Sequence, residues 1–364
     1  MVQTQKQPMD PNPEVLENDD LNADIRKQDH IDLAFKSATA AAMNDSRFLY
    51  EPLLGVHSEW QEEMVIFGKT FRLPFWVSSM TGGTEKAARI NRVLATVAGK
   101  YGFGMGLGSC RSLLYNDEYL SDFAVRKYLG DDAVLFANLG IAQVQQLIDE
   151  GKTSMIKTLL DKLEADGLII HVNPLQEWLQ PEGDRYTKRP LDTIKALLEN
   201  SDYKIIVKEV GQGMGPQSLE ALLALPIEGI EFAAFGGTNF AKLELMRGSE
   251  EKRQEIMPLA KIGHTAEEMV QLVNHLGKRL GDNMRCRQFI ISGGIQNFLD
   301  IHYLRSSLNY PSLAGQASKM LRYAQIGEGA LDEYIDTQLK GLAFAQNFLR
   351  IREDANTYHL NKKL

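Results

Sequence analysis

The chain has 364 residues, 44% of them hydrophobic, enough to bury a large core and to exclude a disordered, collagenous or disulfide-stapled protein. A net charge of −8 argues against general nucleic-acid binding, which needs a basic face. Two cysteines, Cys110 and Cys286, supply neither a disulfide framework nor a cysteine metal cluster, and a reducing cytoplasm is the expected compartment. No apolar run reaches the ~18 residues of a membrane span.

Residues 1–23 hold Pro8, Pro11, Pro13 and the acids Glu17, Asp19 and Asp20, and read as a flexible acidic tail. A helical pattern follows over 24–42, with Ile25, Ile31, Leu33, Ala34 and Phe35 among polar residues. Residues 64–71 read as a short hairpin turning at Gly68-Lys69. After Pro74, apolar runs at 75–79, 104–108, 134–138, 168–173, 205–210, 229–234, 288–292 and 312–316 alternate with helical patterns at 85–101, 141–163, 191–199, 217–224, 265–280 and 298–308. A last amphipathic helix spans 331–351. Continuous apolar runs suit parallel strands covered on both faces, and eight of them alternating with helices predict a (β/α)8 barrel. The expected organisation is the tail, an N-terminal helix and hairpin over 24–73, and one barrel over 74–364. A doubly wound sheet would need a glycine-rich dinucleotide turn, and Gly102-Phe-Gly-Met-Gly-Leu-Gly108 has the wrong spacing for one. The polar stretch 241–264, between strands six and seven, is read as a lid or a surface insertion.

Barrels collect their chemistry at the C-terminal ends of their strands. Those ends read Ser79-Met80-Thr81-Gly82-Gly83, Gly108-Ser109-Cys110-Arg111, Asn138-Leu139-Gly140, His171-Val172-Asn173-Pro174-Leu175-Gln176-Glu177, Lys208-Glu209, Gly236-Gly237-Thr238-Asn239, Ser292-Gly293-Gly294 and Gly315-Gln316-Ala317-Ser318. Glycines and a helix start after strands seven and eight suit a phosphate, because backbone N–H groups approach an anion closely there. Lys208, closing an Ile-Ile-Val run, needs an anion or an electron-rich acceptor. The electron-rich edge of a reduced flavin, a Schiff base and a structural pair with Glu209 all answer that need. Glu177 alone suits Mg2+ held mainly through substrate phosphates. Arg26, Lys27, His30 and Arg111 suit a polyanionic substrate, although the first two also suit an ordinary helix surface. Cys110 is read as packing.

Taken in order, Arg26-Lys27-x-x-His30-Ile31, Met80-Thr81-Gly82-Gly83, Gly108-Ser109-x-Arg111, Asn138-Leu139-Gly140, His171-x-Asn173-Pro174-x-Gln176-Glu177, Gln180-Pro181-Glu182-Gly183, Val207-Lys208-Glu209, Gly236-Gly237-Thr238-Asn239 and Ser292-Gly293-Gly294 resemble the type 2 isopentenyl diphosphate isomerases. The resemblance runs from about residue 24 to 318. It implies a barrel enzyme using FMN kept reduced by NADPH, with Mg2+, that interconverts isopentenyl and dimethylallyl diphosphate in isoprenoid biosynthesis. It further implies a cytoplasmic homo-oligomer, tetramer or octamer, without membrane or nucleic-acid partners. By position, Ser79, Met80, Thr81, Ser109, Asn138, Lys208 and Thr238 would line the flavin, and Gly293, Gly294, Ile295, Ala317 and Ser318 would hold its phosphate. Arg26, Lys27, Ser109, Arg111 and Gln176 would meet the diphosphate, and Glu177 the metal. The implied catalytic set is Gln176, His171, Asn173 and Lys208, with flavin N5 exchanging the proton. The chain departs from the family pattern at Cys110 (commonly Gln), Ala233 (often Ser), Phe240 (Trp) and the stretch 308–313, which lacks the usual Gly-Ala. The rival readings are an FMN-dependent 2-hydroxy acid oxidase, whose base would be a His where Phe235 stands, and a flavin- or diphosphate-binding barrel without catalysis.

Overall fold

The structure, a computed structural model, describes residues 23–79, 84–248 and 250–352. The chain divides between Ser46 and Arg47 into two units. The first carries the helix Ala23–Leu33 and a single helical turn, Ala41–Met43. The helix expected over 24–42 therefore stops early. The amides of Lys36 and Ser37 both return to the Leu33 carbonyl. The hydroxyls of Ser37 and Thr39 bond nearby carbonyls, competing with further helical bonds.

In the second unit the strands are β1 (Phe48–Tyr50), β2 (Met64–Ile66), β3 (Lys69–Phe71), β4 (Phe75–Val77), β5 (Gly104–Gly106), β6 (Leu135–Gly140), β7 (Gly167–His171), β8 (Ile205–Lys208), β9 (Gly229–Glu231), β10 (Phe289–Ser292), β11 (Ser312–Gln316) and β12 (Leu349–Ile351). Strands β4 to β11 close into an eight-stranded barrel. Every neighbouring pair is parallel, including β11 with β4, where Ala314 faces Phe75. Each barrel strand from β4 to β6 and from β8 to β11 is buried along its whole length, which is why the runs are apolar throughout.

The hairpin β2–β3 closes the N-terminal mouth. Its turn is Phe67-Gly68, at φ +55° and +79°, one residue earlier than expected. Phe67 is fully buried, its ring 5.9 Å from both Trp76 and Phe136. A Cβ on Gly229 would come within 2.7 Å of that ring, so the glycine opening β9 makes room for the plug. The helical pattern over 141–163 is two helices, Ile141–Asp149 and Ser154–Leu163, broken at Gly151 with φ +66°. A two-stranded ladder of β1 with β12 joins distant parts of the chain, too short for its pattern to be read.

The stretch between β9 and β10 is folded. It carries the helices Phe240–Arg247 and Glu250–Ile256 and the turn Leu259–Lys261. Ala241, Leu245 and Ala260 form a minor core with Leu179, at the end of the helix Pro174–Leu179 that follows β7.

Candidate active site

A cavity open to solvent lies where the barrel strands end. Of the residues expected around a flavin, Ser79, Lys208, Thr238, Gly293, Gly294, Ile295, Ala317 and Ser318 line it. Met80 and Thr81 fall outside the described residues. Ser109 is exposed and Asn138 buried, and neither lines the cavity.

One wall is built from backbone. Gly293 and Gly294 turn at φ +95° and +80°, a conformation that side chains disfavour. A Cβ on Gly293 would lie 2.1 Å from the Ala234 carbonyl oxygen, so this strand end tolerates no larger residue. Gly237 packs against the same turn less tightly, its Cβ position 3.1 Å from the Gly294 nitrogen. Beside them begins the helix Ser318–Ile326, directly after β11, whose N-terminal dipole favours an anion. Ala233 sits on the same wall at φ +43°, where a non-glycine residue carries about 1–3 kcal/mol of strain. Its amide donates to Ser292 Oγ at 2.9 Å.

The rest of the lining is polar and only partly satisfied. Lys208 is 5% exposed, and its ammonium donates to the Glu209 carbonyl at 2.7 Å. The Glu209 carboxylate instead turns into a backbone nest, Oε2 accepting from the amides of Gly211, Gln212 and Gly213. Burial pushes that carboxyl up, against the pull of those amides and of Lys208. Glu231, paired in register with Lys208 and fully buried, accepts at Oε1 from Ser292 Oγ at 3.2 Å, while Oε2 has no partner. Ser78 Oγ, Ser79 Oγ and Gln316 Nε2 are likewise buried without partners, and all three residues line the cavity. Each unpaired buried polar group costs about 1–3 kcal/mol, so this cluster fits a polar ligand.

Around β7 a second cluster forms. Asn138 Nδ2 donates to the Leu107 carbonyl, which leaves Oδ1 to accept from His171 Nδ1 at 2.8 Å. The His171 ring is half-buried, and burial with the Lys208 ammonium lowers its pKa to about 3. The imidazole is therefore neutral at pH 7 with Nε2 an acceptor. Asn173, 4% exposed, donates from Nδ2 to Gln176 Oε1 at 3.0 Å and to Glu177 Oε1 at 2.9 Å. The Tyr186 hydroxyl donates to Asn173 Oδ1 at 3.0 Å, and burial pushes that phenol up, keeping its proton. Glu177 Oε2 accepts the Asp184 amide at 2.7 Å. Asp184 Oδ2 in turn holds Arg111 at 3.2 Å and Gln143 at 2.7 Å. Arg111, Asn173, Gln176 and Glu177 thus belong to one network, joined through Asp184. Arg26 and Lys27 lie on the helix Ala23–Leu33 of the first unit. Among the described residues no three His, Cys, Asp or Glu side chains are grouped to hold a metal.

Cys110 is fully buried, its thiol pushed up to about 12 by burial and donating to the Gly108 carbonyl. Packing is its role. Glu231, Gln143, Asp184, Tyr186 and Glu244 belong to none of the motifs at the strand ends. Glu231 alone carried a signal, as a carboxylate inside an apolar strand pattern.

The closed parallel barrel, its glycine cradle after the seventh and eighth barrel strands and its polar cavity define a (β/α)8-barrel enzyme. No family model matches the chain. It is 32% identical over 329 residues to an isopentenyl-diphosphate delta-isomerase of Rickettsia typhi, covering 88% of this chain and 92% of that one. The same enzyme of Rickettsia africae is 32% identical over 331 residues, covering 89% and 93%. That of Rickettsia prowazekii is 31% identical over 329 residues, covering 88% and 92%. Among solved structures, a mutant flavocytochrome b2 with benzoylformate superposes with a TM-score of 0.56 at 13% identity, covering 87% of this chain and 80% of that one. A mandelate oxidase mutant with a monooxide FMN adduct gives a TM-score of 0.51 at 12% identity, covering 84% and 88%. At such identities the likeness is one of fold. This chain belongs to the isopentenyl-diphosphate delta-isomerase family, as a member of its type 2 branch, and is an isomerase.

Proposed function

We propose that the protein interconverts isopentenyl diphosphate and dimethylallyl diphosphate on reduced FMN, with NADPH as the reductant and Mg2+ bound alongside the substrate. The observation that carries this reading is the pairing, in one cavity, of a glycine cradle with the unpartnered polar atoms of Ser78, Ser79, Glu231 and Gln316. A phosphate fits the cradle and a heteroaromatic ring with several polar edges fits the rest, so the residues suit FMN. Gly293, Gly294, Ala317 and Ser318 would hold its phosphate, and Lys208 would face the ring. Reduced FMN, when bound, would supply an acid–base group and an electron-rich face toward a tertiary carbocation-like state.

For Mg2+ the donor set is a single carboxylate, Glu177, whose two oxygens each already accept one hydrogen bond. Each keeps a further lone pair. One protein oxygen suits an ion carried mainly by diphosphate and water, not a resident cation. Arg111 would neutralise the diphosphate. His171, neutral with Nε2 an acceptor, suits an O–H of metal-bound water better than a bare oxyanion. Gln176 would present its amide to the reacting carbons, held by Asn173. A homo-oligomer in the cytoplasm is part of the same proposal, and no described helix is long and apolar enough to cross a membrane.

The 2-hydroxy acid oxidase reading has the fold likeness in its favour. Against it, Phe235 precedes Gly236-Gly237 where that chemistry needs a base, and a phenyl ring takes up no proton. The test is anaerobic: FMN-loaded protein, NADPH, Mg2+ and isopentenyl diphosphate, with product followed by NMR. Dimethylallyl diphosphate at equilibrium is the expected outcome. A protein that takes up no flavin, or that oxidises lactate or glycolate instead, overturns the proposal.

A further inference from the structure

Glu244 belongs to the helix Phe240–Arg247 of the insertion, and its side chain is only 6% exposed. Its Oε1 accepts from Gln176 Nε2 at 3.1 Å and from Gln180 Nε2 at 2.7 Å, and its Oε2 from Arg247 at 3.0 Å. The Arg247 side chain is 63% exposed, so solvent screens its charge against the buried carboxylate. Removing a carboxylate from water is costly, and an apolar residue of similar volume often packs as well or better. Leu179, Ala241, Leu245 and Ala260 already dock the insertion against the helix Pro174–Leu179. Holding the insertion in place therefore does not require the charge.

What a carboxylate does that an apolar group cannot is accept without ever donating. Beside Glu244, the Gln176 amide must present its Nε2. Its Oε1 then faces Asn173 Nδ2 at 3.0 Å. At the other end Glu177, a second acceptor-only group, takes Asn173 Nδ2 at 2.9 Å, while Tyr186 donates to Asn173 Oδ1. Flipping either amide would bring acceptor against acceptor or donor against donor. The two carboxylates together set the sense of both amides, leaving Gln176 one N–H and one carbonyl lone pair for the reacting molecule.

We infer that Glu244 is a positioning residue for the isomerisation, acting through the amide of Gln176 from the insertion helix Phe240–Arg247. This rests on the role proposed above for Gln176. In FMN-loaded, reduced enzyme, Glu244→Gln keeps the shape but brings an NH2 group to a place built for an acceptor. It is expected to lower kcat about tenfold or more, with KM for isopentenyl diphosphate within about twofold of the starting value. In a Gln176→Ala background the same change is expected to add no further loss, whereas an additive loss would show an independent role and overturn the inference. Full kcat in Glu244→Gln would do the same. Glu244→Asp, one methylene shorter with its charge intact, is the companion should Glu244→Gln not fold, with the same reduction in kcat expected and an unchanged kcat equally fatal. The side-chain 15N–1H amide signals of Gln176, assigned by their loss in Gln176→Ala, judge the lock apart from turnover. They should move in Glu244→Gln whether or not the isomerase reading stands, and unmoved signals refute the lock.

Discussion

Asn138 Oδ1 accepts the Nδ1–H of His171 at 2.8 Å, and the Asn138 amide is oriented for this by its own bond to the Leu107 carbonyl. A neutral imidazole with a fixed tautomer follows, since burial and Lys208 both oppose its charging. His171→Gln is therefore expected to lower isomerase activity without removing a limb from the pH–rate profile between about pH 6 and 8.5. A limb that vanishes with the histidine would show that the ring titrates during turnover.

The same depressed pKa links to stability. The native ring, at about 3, binds a proton less readily than the unfolded ring at 6.5. Its contribution is complete above the unfolded value and is lost as pH falls toward the native one, by at most about 1.4 kcal/mol per pH unit. Urea titrations of the apoprotein from pH 7 down to 5 should show a shallower decline for His171→Phe than for the parent. Parallel declines would contradict the assignment.

Gly293→Ala places a methyl group 2.1 Å from the Ala234 carbonyl oxygen, in a conformation at φ +95°. Strain of about 1–3 kcal/mol is expected, with flavin affinity reduced about tenfold or more because the cradle must shift. Flavin-fluorescence titration reads the affinity, and a binding curve matching the parent would remove Gly293 from the phosphate site.

Glu177→Gln replaces a pure acceptor with a group whose NH2 would face the Asn173 amide nitrogen or the Asp184 N–H. The Mg2+ concentration for half-maximal activity is expected to rise about tenfold or more. An unaltered metal titration would move the metal elsewhere.

Cys110 and Cys286 are both buried, and burial pushes both thiols up to about 12. A thiol-reactive disulfide reagent at pH 8 should label neither in the native protein and both after denaturation. Rapid native labelling would show that one of them is accessible and ionised.

The barrel was legible because parallel strands covered on both faces leave uninterrupted apolar runs, as at Ile205-Ile206-Val207 and Phe289-Ile290-Ile291. The cradle was legible too, since Gly293-Gly294 and Ala317-Ser318 follow their strands directly. Side-chain partnerships were not. Asn138 stands at a strand end, and its amide bonds to the Leu107 carbonyl and to His171 join segments far apart in the chain. Glu244 read as one more charge in a polar stretch, because only packing against the helix after β7 distinguishes it from its exposed neighbours. The hairpin turn moved by one residue because Phe67, not Gly68, has to reach the Trp76 and Phe136 rings.

The minor core joining Leu179 to Ala241, Leu245 and Ala260 has an implication for engineering. Because the insertion and the helix Pro174–Leu179 share a hydrophobic seam and a carboxylate–amide contact, they form one evolvable part. Grafting the insertion of a relative onto this barrel would import a foreign half of that seam. Chimaeras that exchange both segments together should keep their turnover, whereas those that exchange either one alone should fold around the intact barrel and turn over slowly.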